Sequence, residues 1–173
     1  MTLIKSISGI RGTIGGKPGD GLTPADIVKF TSAYGTWLIS RNKGNKCKVV
    51  LGRDARISGA MVSGLVSSTL LGLGIDVVDT GLSTTPTVEV AVPFHKAQGG
   101  IILTASHNPK QWNALKLLNE KGEFISAADG AEVLSIAEQE SFLYAEVGAL
   151  GQLSTDTQSI ARHIELILQL PMV

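Results

Sequence analysis

The sequence predicts an α/β chain: a three-layer α/β/α arrangement on a mostly parallel sheet with an antiparallel edge hairpin. Three observations predict it. Apolar runs and amphipathic stretches alternate as β, α, β, α, β, α, β through residues 3–103, with short loops between them. Such alternation implies parallel strands joined by right-handed helical crossovers. The run at 101–103 is continuously apolar, and those at 47–52 and 75–78 are nearly so, as strands buried on both faces require. Beyond Pro109 the alternation stops, and two short runs flank Asn119-Glu120-Lys121-Gly122, which has the composition of a hairpin turn.

Each element follows in order. Residues 3–7 form a short strand. The stretch Ser8-Gly9-Ile10-Arg11-Gly12-Thr13-Ile14-Gly15-Gly16 comes next. Its spacing is neither a Walker A loop nor G-x-G-x-x-G, and its glycines suit a loop that comes close to a ligand. Thr23-Pro24 opens the first helix, with Thr23 as N-cap, Pro24 at the first helical position and Asp26 in the first turn. Ile27, Phe30, Tyr34, Trp37 and Leu38 share one face, and Asn42, Gly44 and Asn45 end the helix. A second strand at 47–52 runs into Arg53-Asp54-Ala55-Arg56, then Ser58 as the N-cap of a second helix. Met61, Val62, Leu65, Val66, Thr69, Leu70 and Leu73 make its buried side, and Gly72 and Gly74 stop it. Residues 75–78 are a third strand. Thr85-Pro86 opens a shorter helix to about residue 96, and Gly99-Gly100 leads into the fourth strand. The hairpin pairs 112–118 with 123–125 and places Gly122 at a positive φ. Ser126-Ala127-Ala128-Asp129 is a capping-box variant opening a helix to about residue 140. Residues 156–170 form a last amphipathic helix, with Ile160, Ile164, Ile167 and Leu168 on one side and Pro171 as its stop.

Composition narrows the function. With 173 residues the chain can bury one α/β core, with or without a short appendage. Fifteen basic and fifteen acidic residues give no net charge, which argues against a nucleic-acid partner. The single Cys47 excludes an internal disulfide, and no Cys/His cluster has zinc spacing. The N-terminus lacks the charged and apolar regions of a signal peptide. The longest apolar segment, around 70–75, is too short to span a bilayer. The expectation is a soluble, cytoplasmic protein with neither nucleic-acid nor membrane partner.

Three polar clusters, at 8–12, 53–58 and 104–109, each follow a predicted strand. In a parallel sheet all three lie at the carboxyl edge, where ligands bind. Convergence there brings Arg11, Arg53, Arg56 and His107 near Ser106, with Lys116 reaching in from the hairpin. A positive cradle around a serine hydroxyl suits phosphate chemistry. Asp54, between two arginines, is read as an ion-pair partner that orients them. A Ser-His hydrolase is rejected. Adjacent Ser106 and His107 side chains point apart without an unusual turn, there is no G-x-S-x-G elbow, and His95 and His163 fall at predicted helix ends. A phosphorylated Ser106, with about −1.5 to −2 charges, fits the basic surroundings better. Local carboxylates are too few to hold magnesium unaided.

Thr104-Ala105-Ser106-His107-Asn108-Pro109 resembles the phosphoserine loop of the α-D-phosphohexomutases, the superfamily of phosphoglucomutase, phosphomannomutase and phosphoglucosamine mutase. Ser8-Gly9-Ile10-Arg11-Gly12 and Gly52-Arg53-Asp54-Ala55-Arg56-Ile57-Ser58-Gly59 agree with it in order and spacing. The resemblance covers roughly residues 1–140, the first of the family's four domains. It implies residues 1–150 as domain I and 151–173 as a linker helix toward domain II. It implies that Ser106 passes a phosphoryl group to a hexose phosphate through a bisphosphorylated intermediate, moving it between the 1- and 6-positions. Lys116 matches the lysine that handles the hydroxyl proton, and a general base of this kind needs burial or neighbouring positive charge. Arg11 and His107 join it as catalytic residues, while Asn108, Arg53 and Arg56 match phosphate- or sugar-contacting or bracing positions. Magnesium would meet Ser106 through its phosphate, with the remaining ligands and the sugar loops on domains II–IV. A hexose 1,6-bisphosphate would serve as activator. In Trp112-Asn113-Ala114-Leu115-Lys116, Ala114 stands where many members have glycine, which leaves the choice among glucose, mannose and glucosamine phosphates open. The chain alone is expected to lack mutase activity. The alternative is a non-catalytic phosphate- or protein-binding module of the same fold, and the 160–168 face leaves homodimer formation open.

Overall fold

A computed structural model of the chain describes residues 1–6, 9–43 and 45–171. In chain order the elements are β1 (Ile4–Ser6), β2 (Gly9–Thr13), α1 (Pro24–Arg41), β3 (Lys48–Arg53), α2 (Gly59–Gly72), β4 (Asp76–Leu82), α3 (Thr85–Phe94), β5 (Gly99–Leu103), β6 (Trp112–Leu118), α4 (Ala127–Gln139), β7 (Leu153–Thr155) and α5 (Ser159–Leu168). One seven-stranded sheet runs in the order β1-β2-β6-β5-β3-β4-β7. Its β5-β3-β4-β7 half is parallel, and its β6-β2-β1 side is antiparallel. Helices cover both faces, so the three-layer α/β/α class holds.

The continuous apolar runs divide between the two faces. Val49, Leu51, Ile101 and Leu103 enter the larger core with α1, α2 and α4. Val50, Val78 and Ile102 point the other way, against Val88 and Val92 of α3. Successive strand residues face opposite sides, so a strand covered by helices on both faces has no polar positions. The helices begin where their caps stand. The Thr23 hydroxyl and Asp26 form a reciprocal capping box on α1, as Ser126 and Asp129 do on α4. α3 is capped by Thr84, one residue earlier than expected, with Pro86 in its first turn.

Tyr34 ties the layers together. Its phenol, fully buried on α1, donates to the carbonyls of Leu118 at 2.6 Å and Gly100 at 3.2 Å. Burial pushes its pKa far up, so it stays a neutral donor. Gly99 makes room for it: a Cβ there would fall 2.1 Å from the phenol oxygen.

Three expectations are corrected. The Gly-rich stretch is not a loop throughout, because Gly9–Thr13 forms β2, antiparallel to β6. Gly9 allows this close pairing, since a Cβ on it would lie 2.0 Å from the Leu115 carbonyl oxygen. Ile7 and Ser8 lie outside the described residues, as does Gly44 in the turn after α1. The hairpin return arm is a single Leu118–Phe124 bridge, flanked by bonds from the Asn119 amide to the Glu123 carbonyl and from the Ile125 amide to the Leu117 carbonyl, because it meets only the short end of β6 that β2, whose pairing stops at Leu115, leaves open. Gly122 does take a positive φ, of 79°. The segment after residue 150 does more than link. β7 extends the sheet beside β4, and α5 docks on α3 by its polar side.

That docking rests on two histidines. His95 Nε2, at the end of α3, lies 2.8 Å from Asp156 Oδ2, which also pairs with Arg162. His163, within α5 rather than at its end, meets the Thr87 hydroxyl at 3.0 Å. The Arg162 guanidinium stacks on Phe94, 4.0 Å from the ring centroid. Ile160, Ile164, Ile167 and Leu168 face solvent.

Two outcomes follow from these contacts. Tyr34→Phe should cost about 1–2 kcal/mol, read as a lower urea midpoint at unchanged slope. Burial pushes the Asp156 carboxyl up, but hydrogen bonds from His95, the Gln158 amide and Arg162 outweigh it and hold the carboxyl below its ordinary value. A depressed carboxyl adds stability that is complete above the ordinary aspartate value of about 4 and is lost as pH falls through the lower folded value. Wild type should therefore exceed Asp156→Asn in urea midpoint at neutral pH, with the gap closing below about pH 4. A gap that does not change with pH would contradict this.

Candidate active site

The parallel pairing of β3 and β5 sets Arg53 beside Leu103 in register, so the chain leaves both strands at the same edge. β6 runs back antiparallel, placing Lys116 opposite Ile102. β2 places Arg11 opposite Ala114 of β6. A cavity of about 270 Å³ opens at this edge, walled by Ser6, Gly9 and Arg11 from the first strands, by 104–108 from the loop after β5, and by Ala114, Lys116 and Phe124.

The loop after β5 is folded by its own polar groups. The Thr104 hydroxyl accepts the Ser106 amide at 3.0 Å. The Ala105 carbonyl accepts both the Asn108 amide, at 3.0 Å, and the Asn108 side-chain amide, at 2.9 Å. Ser106 sits at φ 55°, a left-handed conformation that costs a non-glycine residue roughly 1–2 kcal/mol. The consequence is an exposed serine hydroxyl at the cavity wall. Ser106 and His107 were expected to point apart. The left-handed turn instead brings Oγ to 3.4 Å from His107 Nδ1, the long end of hydrogen-bond range. Among the described residues no carboxylate hydrogen-bonds His107, so the acid of a catalytic triad is missing.

Five of the residues singled out from the sequence, Arg11, Ser106, His107, Asn108 and Lys116, line this one cavity. Among the described residues, Arg11 and Lys116 form no ion pair, and no carboxylate lines the cavity. The Lys116 ammonium lies 5.6 Å from the centre of the Phe124 ring. Arg53 and Arg56 are placed elsewhere. Arg53 lies beside Gly59 at the start of α2, donating to the Asp54 carbonyl at 3.3 Å. Arg56 lies behind the serine loop, paired with Asp54 at 3.2 Å and turned toward backbone carbonyls. Asp54 thus orients Arg56 as an ion-pair partner.

Sequence reasoning missed three contributors. Thr104 opens the polar cluster with no role of its own in the sequence, yet its hydroxyl holds the Ser106 amide. Asn113 is fully buried, donates to the Ser58 hydroxyl at 2.9 Å, and accepts the Ala114 amide at 2.8 Å. Ser58 therefore serves as the tie between α2 and β6 and makes no side-chain cap of its own. Phe124 reads as a strand residue, and nothing in the sequence beyond its hydrophobicity marks the exposed ring beside Lys116.

Residues 3–144 match the family model described as phosphoglucomutase/phosphomannomutase, alpha/beta/alpha domain I. The chain belongs to this family. It is an N-terminal domain of the α-D-phosphohexomutase superfamily. A phosphoglucomutase/phosphomannomutase of Thermococcus kodakarensis is 36% identical over 158 residues, covering 90% of this chain and 34% of that protein. A phosphoglucosamine/phosphogalactosamine mutase of Sulfurisphaera tokodaii is 30% identical over 166 residues, covering 91% and 34%. A solved structure of a phosphomannomutase-family protein from Thermus thermophilus superposes with a TM-score of 0.80 at 28% identity, covering 99% of this chain and 37% of that one. The chain spans about a third of the length of these relatives.

The strain at Ser106 in this domain I fold is measurable. Ser106→Gly should raise stability by about 0.5–1 kcal/mol over Ser106→Ala, because glycine takes a positive φ freely. Thermal unfolding of the two variants tests it, and equal midpoints would argue against strain at this position.

Proposed function

We propose that this chain carries the phosphoryl-holding part of a phosphosugar mutase, with Ser106 as the residue that accepts and donates the phosphoryl group. The supporting observation is the cavity itself: a serine hydroxyl facing two basic side chains, Arg11 and Lys116, with no carboxylate in the wall. Phosphoserine brings about −1.5 to −2 charges, and fixed basic groups around it stabilise the equatorial oxygens that gain charge in transfer.

In the donating direction, a hexose phosphate hydroxyl attacks the phosphorus of phosphoserine. The new O–P bond forms as the bond to Ser106 Oγ breaks. The Lys116 ammonium gives a proton to Ser106 Oγ as that bond breaks and takes the sugar hydroxyl proton in its place, so protons balance and Lys116 begins and ends the step charged. Arg11 neutralises the transferring group, and His107 Nδ1, 3.4 Å from Oγ, hydrogen-bonds the released oxygen. The reverse step returns the other phosphoryl group of the bisphosphorylated sugar to Ser106, which exchanges the 1- and 6-positions.

Among the described residues no three His, Cys, Asp or Glu side chains gather as a metal site. This chain's own residues therefore do not fit a magnesium ion unaided, and no step is assigned through one. In this reading a magnesium ion and the distal sugar contacts belong to further domains of a longer mutase, whose substrate is a hexose phosphate and whose activator is a hexose 1,6-bisphosphate. No helix among the described residues is long and apolar enough to cross a membrane, which accords with a substrate dissolved in water.

The test is direct. The chain is incubated with glucose 1,6-bisphosphate and magnesium and weighed by mass spectrometry. It should gain the mass of one phosphoryl group, located on Ser106 and absent from Ser106→Ala. Phosphate on another hydroxyl, or none at all, overturns the reading.

A further inference from the structure

We propose that Arg56 is the positioning residue of the phosphoryl-carrying serine: it holds Ser106 in place and does not itself bind phosphate. The guanidinium has five N–H donors in a planar fork, and all five are engaged. Nε donates to Asp54 Oδ2 at 3.2 Å. One terminal nitrogen donates to the carbonyls of Pro109, at 2.9 Å, and Trp112, at 3.0 Å. The other donates to the carbonyls of Ser106 and Asn108, each at 2.8 Å. One side chain therefore gathers four carbonyls from residues 106–112 around its planar fork, and that stretch contains the left-handed Ser106.

Two consequences separate this role from phosphate binding. No N–H is left for a phosphoryl group unless a carbonyl is released, so the anion must draw on Arg11 and Lys116 instead. The contacts also depend on shape more than on charge. Lysine keeps the charge but has three donors on one atom and no fork, so it cannot meet carbonyls that surround a plane. Asp54 aims the fork by accepting both Nε and, through Oδ1, the Arg56 amide at 3.0 Å.

The chemical half of this inference rests on the proposed role of Ser106, and the test separates the two. Amide exchange is measured in Arg56→Lys at Ser106, Asn108 and Trp112, whose amides are bonded within the loop. Exchange there should quicken by roughly tenfold or more, while amides of β3 and β5 keep their protection. Phosphoryl uptake from glucose 1,6-bisphosphate should lose about a hundredfold in maximal rate, as a misplaced nucleophile does. The half-saturating concentration should stay within about twofold. Unchanged loop exchange overturns the proposal. So does an unchanged maximal rate with a raised half-saturating concentration, which would mark Arg56 as a phosphate ligand. If wild type takes up no phosphoryl group, the role given to Ser106 fails, and the exchange comparison still decides the role of Arg56. Should Arg56→Lys also lose protection in β3 and β5, Asp54→Ala, which removes only the carboxylate, decides by the same exchange measurement.

Discussion

The site depends on one guanidinium. A loop leaving a buried strand presents carbonyls that need partners, and the turn through 106–112 satisfies few of its own. Arg56 supplies them from the neighbouring loop, at 2.8–3.0 Å. The contact is possible only because β3 and β5 are adjacent, parallel and in register at Arg53 and Leu103. Topology therefore has a chemical consequence: it places one loop's donors beside the other's acceptors, and the serine takes up a conformation it would not adopt alone.

The same topology explains the mixed sheet. A purely parallel sheet would bring only βα loops to this edge. Because β6 runs back against β5 and β2 against β6, side chains in mid-strand reach the edge as well. Lys116 and Arg11 are thus carried on hydrogen-bonded strands, which hold a basic group more firmly than a loop does. Gly9 is what lets β2 approach β6 this closely, so the glycines serve strand pairing at least as much as ligand approach.

Much of this was legible in the sequence where the signal is local. Caps at Thr23 and Ser126, the apolar face of α1, and the doubly buried β3 and β5 all follow from neighbouring residues. The serine loop, Arg11 and Lys116 were legible as a resemblance and come together at one cavity. What escaped depends on distant partners. The Gly-rich stretch became a strand because Leu115 of β6 lies alongside it, and the hairpin arm is short because it meets only the end of β6 that β2 leaves open. β7 is a short, exposed strand made by its pairing with β4. Arg56, which the sequence left between contacting phosphate and bracing the site, turns inward because carbonyls more than fifty residues away claim it.

Charge closes the account of the cavity. The chain has no net charge, and several of its basic side chains are neutralised locally: Lys29 by Glu140, Arg41 by Asp129, Lys46 by Asp76, Arg162 by Asp156. Arg56 is neutralised in the same way by Asp54. The two basic groups in the cavity wall have no such partner among the described residues. Two unpaired positive groups are close to what a phosphoserine dianion needs, whereas a carboxylate in that wall would repel it. An arginine paired behind the loop and basic groups left unpaired in front of it are therefore complementary. The first sets where the serine oxygen stands, and the second sets which charge that oxygen can carry.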